Sequence, residues 1–369
     1  MNKYVKILSL ILASCVLFCG CKDKKEVVEE PTDTVSELNY KELSEKQLEV
    51  LALENDGEAA FYLGQIYDYG LEEESKNASE AFRWYQVSSD AGFPYGSLYL
   101  GYCYLNGAGV EQNTETAGEL FQNALDNDVK EGLVGLARCI ILNNDEERFS
   151  EAREYIEEAY NLNLLDGFYY MGYVHEKGID TEINVEKAVE CYEKAASYES
   201  DDVGDQFAIN SANTRLGYLY ANGLLGEVDG KTALSYLKKA ADNGFLEAKF
   251  YIGIMYLSGI GIDKNPEKAL SYFEEAAEED YAPALSQIAY IYFNGNGVDP
   301  DYEQAVYYEK LAAAQGYAPS QINLGYLYEN GFGVEKNLET ALAYYKLAAE
   351  SDFEGANEAI TRVESLLSK

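Results

Sequence analysis

Two small-residue markers recur through the chain at a nearly constant spacing. The first is a Gly or Ala that follows an apolar residue, and its successive positions lie 37, 36, 35, 45, 36, 36 and 36 residues apart. An alanine follows each of these positions about sixteen residues later. A period in this range is typical of a solenoid, in which each unit buries its apolar face only against its neighbours. The eight first markers are Gly64, Gly101, Ala137, Gly172, Gly217, Gly253, Ala289 and Gly325.

Each unit has the pattern of two helices joined by a glycine turn. In the last unit, "PSQINLGYLYENG" places Leu324 and Leu327 at near-helical spacing and closes at Gly331, as expected where a residue with positive φ ends a helix. Asn337 then stands where its side chain can cap a second helix. The other units with Asn or Asp at this position carry Asn77, Asn113, Asn184, Asp229, Asn265 and Asp301. The sequence therefore predicts an all-α fold.

The glycine turn "YENGFGVEKN" resembles a phosphate-binding loop in its glycine content, but the residues around it differ from those around such a loop. The phrase recurs from Tyr104, Tyr256 and Tyr292, and a loop made four times is not one active site. No strand is predicted before it, and no Lys-Ser/Thr pair follows it, as a phosphate loop requires. We interpret Gly331 and Gly333 as the connection between two antiparallel helices.

The phrase "LGYLYENGFGVEKNLETALAYYKLAAE" resembles the Sel-one-like repeat, a subclass of the tetratricopeptide-like α/α solenoids. The resemblance implies a right-handed solenoid of about eight two-helix repeats of about 36 residues over residues 41–369. The third unit lacks the glycines of the turn, where it reads "NNDEERFSEA", and about nine extra residues follow the fourth unit. Residues 41–55 and 354–369 are expected to cap the two ends. The expected repeats are 57–93, 94–130, 131–164, 165–209, 210–245, 246–281, 282–317 and 318–353.

The N-terminal residues have the parts of an export signal. "MNKYVK" carries two lysines, "ILSLILASCVLF" is apolar, and "CGCKDKK" turns polar, which is the order found in secretory signal peptides. "FCGC" at 18–21 resembles the lipobox of bacterial lipoproteins, which implies removal of residues 1–20 and lipidation of Cys21. Residues 21–40 are charged and predict a flexible tether.

Alternatives at the N terminus stay open. "LASC" at residues 12–15 would move the lipid to Cys15, and an ordinary cleaved signal or an uncleaved anchor is a further possibility. With lipidation at Cys21, the chain is expected in the bacterial cell envelope, anchored to a membrane only through this lipid, with the solenoid outside the cytoplasm. The remaining cysteines, Cys103, Cys139 and Cys191, are odd in number and do not make a disulfide framework.

The charge of the chain restricts its partners. The formal net charge is -37 and the pI about 4.2. Nucleic acid phosphates and anionic lipid headgroups are repelled by such a surface, so binding to nucleic acid is not expected. A protein or peptide partner, of basic character, matches this charge better.

A line of tyrosines follows the first marker. The residue directly after the marker is turned about 100° away from the close-packed small residue. In tetratricopeptide-like solenoids the first helices line the concave surface, so these side chains could form a binding groove, with core packing as the competing interpretation. We call the five tyrosines at this position the tyrosine file: Tyr102, Tyr173, Tyr218, Tyr290 and Tyr326. A second aromatic line, represented by Tyr272, is expected to form the packed seam between units.

Catalytic and metal-binding patterns are weak. "SYLK" at Ser235–Lys238 matches the Ser-x-x-Lys of penicillin-recognising enzymes, but their companion motifs are missing. His175 is the only histidine and occupies a position that is Tyr in sibling units. We therefore expect a non-enzymatic interaction scaffold without cofactor or metal. The alternative is a hydrolase of cell-wall material or β-lactams, suggested for some relatives that are rich in cysteine.

Overall fold

Helices are the only regular elements in the part of the chain that the computed structural model describes, which is residues 39–71, 76–200 and 202–368. A 3-10 helix spans Tyr40–Glu42, and another, Glu146–Arg148, lies between two α-helices. The α-helices are α1 Glu45–Leu53, α2 Gly57–Tyr69, α3 Ala78–Asp90, α4 Pro94–Asn106, α5 Thr114–Asp126, α6 Gly132–Leu142, α7 Phe149–Asn161, α8 Leu165–Lys177, α9 Val185–Ala196, α10 Val203–Ala221, α11 Gly230–Asp242, α12 Leu246–Ser258, α13 Pro266–Ala277, α14 Ala282–Asn294, α15 Tyr302–Ala314, α16 Ala318–Asn330, α17 Leu338–Glu350 and α18 Ala356–Leu367.

The described residues from 43 onward form one unit, in which each helix packs on the next along the chain. The even-numbered helices α2 to α16 are the first helices of eight repeats, and the odd-numbered helices α3 to α17 are the second. The helix α1 packs on α2, and α18 packs on α17, so each covers the apolar face of a terminal repeat. The predicted α/α solenoid with capping helices is confirmed.

The ends of the helices follow the predicted capping chemistry. The Asn337 side chain accepts a hydrogen bond from the Thr340 amide (2.9 Å), which satisfies one of the free donors at the start of α17. The same bond forms at the other six predicted caps. Gly331 ends α16 with a φ of 78°, and its amide donates to the Leu327 carbonyl. The glycine turn is therefore confirmed as a helix C-cap.

The second glycine of the turn has a separate role. Gly333 has a φ of 66°, and a Cβ on it would lie 2.9 Å from the Glu303 amide of the preceding repeat. Gly297 is held in the same way against Pro266, where a Cβ would lie 2.9 Å from the proline Cβ. This glycine therefore lets one repeat approach the start of the second helix of the repeat before it.

The first marker is a close-packing position, as the sequence indicates. A Cβ on Gly253 would lie 2.5 Å from the Phe273 ring, which is completely buried. Tyr272, the neighbour of Phe273 on α13, is only half-buried and stacks on Tyr256 of the same repeat with ring centroids 6.0 Å apart. Tyr272 packs at the edge of the cluster it shares with the preceding repeat. Phe273 is therefore the fully buried residue of this seam, and Tyr272 packs at its edge as a half-buried member.

The extra residues after the fourth repeat are partly helical. The helix α10 has 19 residues and begins at Val203, so the expected boundary between 209 and 210 lies inside it. Near its first turn, a Cβ on Gly204 would lie 2.6 Å from the Tyr99 hydroxyl, which belongs to the second repeat. The start of α10 therefore packs on an earlier repeat and is not a free loop.

Successive first helices contact each other in the N-terminal part of the solenoid, from α2 with α4 through to α10 with α12. We refer to the surface formed by the first helices as the inner face. No helix in the described residues is apolar over a length that would span a bilayer. Cys21, residues 1–20 and the tether up to residue 38 lie outside the described residues.

Candidate functional site

The tyrosine file lies on the inner face because of the marker beside it. Gly325 faces the Tyr345 ring so closely that a Cβ would overlap it, and this fixes the direction in which α16 turns. Tyr326, the next residue, therefore points away from the second helix. Its side chain is 47% exposed, and that of Tyr290 is 50% exposed. At these two positions the file is not core.

The file is less exposed toward the N terminus. Tyr102, Tyr173 and Tyr218 are half-buried. Burial raises the pKa of Tyr102 well above its ordinary value, and Asp166 adds to the rise while Arg138 opposes it. The positions without tyrosine are Gln65, Arg138 and Ile254, all half-buried.

The half-buried tyrosines already have cations over their rings. The Arg138 guanidinium lies 5.1 Å from the ring centroid of Tyr102, and that of Arg215 lies 4.7 Å from the ring centroid of Tyr218. The Lys177 ammonium lies 5.9 Å from the ring centroid of Tyr173. Such contacts are favourable because the ring face carries negative charge. The N-terminal part of the file is therefore paired within the chain.

Arg138 lies in a pocket of about 420 Å³ that Tyr170 and Tyr173 also line. Its guanidinium is 5.4 Å from the Tyr170 ring centroid and donates a hydrogen bond to Asn106 Oδ1 (3.1 Å). Burial raises the pKa of Asp166, which faces this group, to about 6, although the Arg138 charge opposes the shift. The pocket therefore holds a cation whose charge is partly compensated by the nearby Asp166.

The exposed end of the file continues into an aromatic patch formed by the turns of the last two repeats. The ring of Phe332 lies 5.9 Å from that of Tyr326, 5.6 Å from that of Phe293 and 5.3 Å from that of Tyr302. Tyr302 is 41% exposed. Because Phe293 is one helical turn after Tyr290 and lies 6.4 Å from Tyr326, the patch connects the two exposed file residues.

Other sequence candidates lie apart from this surface. Ser235 and Lys238 are both exposed on α11, which gives no support to the hydrolase alternative. His175 is half-buried, its Nδ1 has no hydrogen-bond partner among the described residues, and burial lowers its pKa. The three cysteines after the tether are buried and unpaired. The described residues contain no cluster of three or more His, Cys, Asp and Glu side chains that could bind a metal.

One buried carboxyl escaped the sequence analysis. Glu309 is 3% exposed and stands where sibling repeats have residues such as Phe273 and Tyr345. It accepts hydrogen bonds from Asn323 Nδ2 (2.8 Å) and Ser286 Oγ (3.3 Å). Burial raises its pKa to about 7, although these hydrogen bonds oppose the rise. The signal was visible in the sequence, because "YYEKLAA" breaks the aromatic position of the repeat.

The comparisons with known proteins agree with this architecture. The family model described as the Sel1 repeat matches more than half of the chain, and the unmatched stretch between its second and third matches includes the degenerate third repeat. The matched segments are residues 57–93, 94–129, 169–197, 210–245, 246–281, 282–317 and 318–353.

One solved structure shows the same fold, and the others named here are more distant neighbours. A Sel1 repeat protein from Oxalobacter formigenes is 23% identical, with 95% of this chain and 99% of that chain covered and a TM-score of 0.52. A protective antigen of uropathogenic Escherichia coli with an SLR fold is 21% identical over 88% of this chain and 91% of its own, with a TM-score of 0.29. An immunity protein from Pseudomonas aeruginosa is 17% identical (70% and 80% covered, TM-score 0.37). No curated protein matches the chain.

Proposed function

Since the chain belongs to the Sel1 repeat family, we propose that it is a non-enzymatic scaffold that binds a protein or peptide partner on the inner face of its solenoid. The repeat fold supports an interaction role, because stacked two-helix repeats create an extended surface from side chains that one helix of each repeat supplies. The binding residues in this proposal are the members of the tyrosine file.

One observation carries the proposal. Tyr290 and Tyr326 are about half exposed, although each follows a completely packed marker position on a first helix. Tyrosine is enriched at protein interfaces because it offers a large contact area and a hydroxyl at a low cost in side-chain entropy. Two such residues, linked by the patch around Phe332, provide an apolar centre of the kind that binding hot spots use.

Site-specific photo-crosslinking tests the proposal. A benzoylphenylalanine placed at Tyr290 or at Tyr326, in cells that produce the full chain, is expected to yield crosslinks to a partner protein. The matched control is Tyr307, which is 55% exposed but lies on the second helix α15. If position 307 yields as many crosslinks as position 290, or if positions 290 and 326 yield none, the inner face is not the binding surface.

The charge of the chain supports a basic partner. The chain carries 65 Asp and Glu against 28 Lys and Arg. Complementary charge speeds association by steering, and salt screens it beyond a distance of about 10 Å at 0.1 M. Association with the crosslinked partner should therefore slow as the salt concentration rises.

The location in the cell envelope forms part of the same proposal. It rests on the signal-like N terminus and on the resemblance of "FCGC" to a lipobox. A lipid on Cys21 with two or more acyl chains would hold the scaffold stably at a membrane. Metabolic labelling with a fatty acid analogue is expected to mark the wild type and not Cys21→Ala. Label that persists in Cys21→Ala but is lost in Cys15→Ala would move the site to Cys15.

A further inference from the structure

We propose that Tyr290 and Tyr326 are subsites for the cationic side chains of a basic partner segment, arginine above all, which stack on their exposed rings. This inference rests on the proposed function and specifies the chemistry of the partner at the C-terminal end of the tyrosine file. The N-terminal end of the same file shows what kind of group these rings accept.

The chain itself supplies the evidence for this preference. Tyr102 and Tyr218 each have an arginine guanidinium over the ring, at 5.1 and 4.7 Å from the centroid. Arg138 is the file residue of the next repeat, whereas Arg215 and Lys177 lie one helical turn from Tyr218 and Tyr173 on the same helices. Three members of the file, with Tyr173 under Lys177, therefore carry a cation. Among the described residues, none lies over Tyr290 or Tyr326.

The composition of the last two repeats explains the difference. Residues 282–353 contain no arginine. Of the lysines in this stretch, Lys310 lies over the Tyr328 ring at 5.6 Å and Lys346 pairs with Glu364 at 3.5 Å. Lys336 is exposed after the turn that carries Phe332. No cation of these repeats is placed to cover the two exposed rings, so a partner can supply it.

Charge complementarity favours an arginine from another protein over a second copy of this chain as the occupant of these two rings. A second copy of this chain would bring its own formal charge of -37 to the contact, which disfavours self-association here. Asp299, Asp301 and Glu303 are exposed on the turn and helix start around Tyr302, beside the patch. Arginine fits such a surface because its planar guanidinium stacks on aromatic rings and is more weakly hydrated than an ammonium.

Fluorescence anisotropy with defined peptides tests the inference on the full chain. The probe is a labelled, end-blocked peptide with two arginines three residues apart in a proline-rich background. That spacing spans about 9 Å and returns to the same side of a polyproline II helix, so that both arginines can face one surface. The matched control peptide has citrulline, an uncharged analogue of the same shape, at both positions.

The arginine peptide should bind about four- to twenty-five-fold more tightly than the citrulline peptide, from two cation–π contacts worth about two- to fivefold each. Tyr290→Ala and Tyr326→Ala should each weaken binding about two- to fivefold. Tyr290→Phe and Tyr326→Phe keep the ring and should bind almost as the wild type does. Tyr307→Ala, the exposed control on α15, should change nothing.

Three results would overturn the inference: no binding of the arginine peptide, equal binding of the citrulline peptide, or a loss in Tyr307→Ala as large as in Tyr326→Ala. A self-association of the chain that Tyr326→Ala abolishes would make the patch a contact between copies instead. If crosslinks form from position 290 while the peptide test fails, the binding face stands and only the cationic chemistry is wrong. If neither forms, the proposed function falls as well.

Discussion

Replacing Glu309 by glutamine should make the stability of the solenoid less sensitive to pH. The Glu309 carboxyl is buried between α14 and α16, with Asn323 and Ser286 as hydrogen-bond donors. No basic side chain in the described residues forms an ion pair with it. The titratable group that faces it from the start of α16 is Tyr317, whose pKa is raised by its own burial first and by Glu309 second.

The size of the effect follows from the shift of the Glu309 pKa from 4.5 to about 7. The native carboxyl holds its proton more tightly than the carboxyl of the unfolded chain does. This contribution to the free energy of unfolding is therefore fully present below the unfolded pKa of about 4.5. This advantage disappears as the pH rises from about 4.5 to about 7. One pKa unit corresponds to about 1.4 kcal/mol, so the loss is about 3 kcal/mol. Glutamine cannot ionise and should not show it.

Urea unfolding of wild type and Glu309→Gln, at about pH 5 and about pH 8, measures the difference. At pH 5 the two proteins should be similarly stable, and at pH 8 the glutamine variant should be more stable by up to about 3 kcal/mol. Other titrating groups act equally in both and cancel. Glu303→Gln, a change of an exposed residue on the same helix, is the control and should show no such divergence. An unchanged difference between pH 5 and pH 8 would refute the raised pKa and the burial it rests on.

Three further predictions test the packing. Gly253→Ala would place a Cβ 2.5 Å from the Phe273 ring and should lower the free energy of unfolding in urea by about 1–3 kcal/mol. Gly118→Ala is the control, because it has open space around it, and it should be neutral or stabilising. Equal losses in the two variants would contradict the close packing of the marker. Asn337→Ala removes the cap of α17 and should cost about 1 kcal/mol, with Asn337→Asp close to wild type; an alanine variant of wild-type stability would contradict it. Burial raises the pKa of the thiols of Cys103, Cys139 and Cys191, so a thiol reagent should modify them only in urea, and rapid reaction in the native protein would contradict their burial.

The sequence was sufficient for features that depend on local chemistry and are repeated. The cap at Asn337 and the left-handed glycine at Gly331 are each specified by a few neighbouring residues, and seven copies of the cap and six of the glycine among the described residues reinforce one another. The close-packed marker was also predictable. The number of residues between Gly253 and the alanine of the following second helix is nearly the same in each unit.

Features that depend on contacts between distant residues were not predictable. The exposure of Tyr326 and the partial burial of Tyr102 occur at one register position, and Arg138 is one source of the difference. The start of α10 lies in a polar segment without helical periodicity, and its packing on Tyr99 is a contact made across repeats. Deletion of residues 197–205 is therefore expected to remove the first turn of a helix.

The central claim is that the exposed end of the tyrosine file is the binding surface. Calorimetric titration tests it, with the partner that crosslinking identifies titrated into the full chain. The affinity of the double variant Tyr290→Ala and Tyr326→Ala is compared with that of Tyr307→Ala. Melting temperatures close to that of the wild type are expected for both, since all three side chains are about half exposed. We expect at least a tenfold loss of affinity in the double variant, which corresponds to about 1.4 kcal/mol or more, and wild-type affinity in Tyr307→Ala. Unchanged affinity in a folded double variant would contradict it.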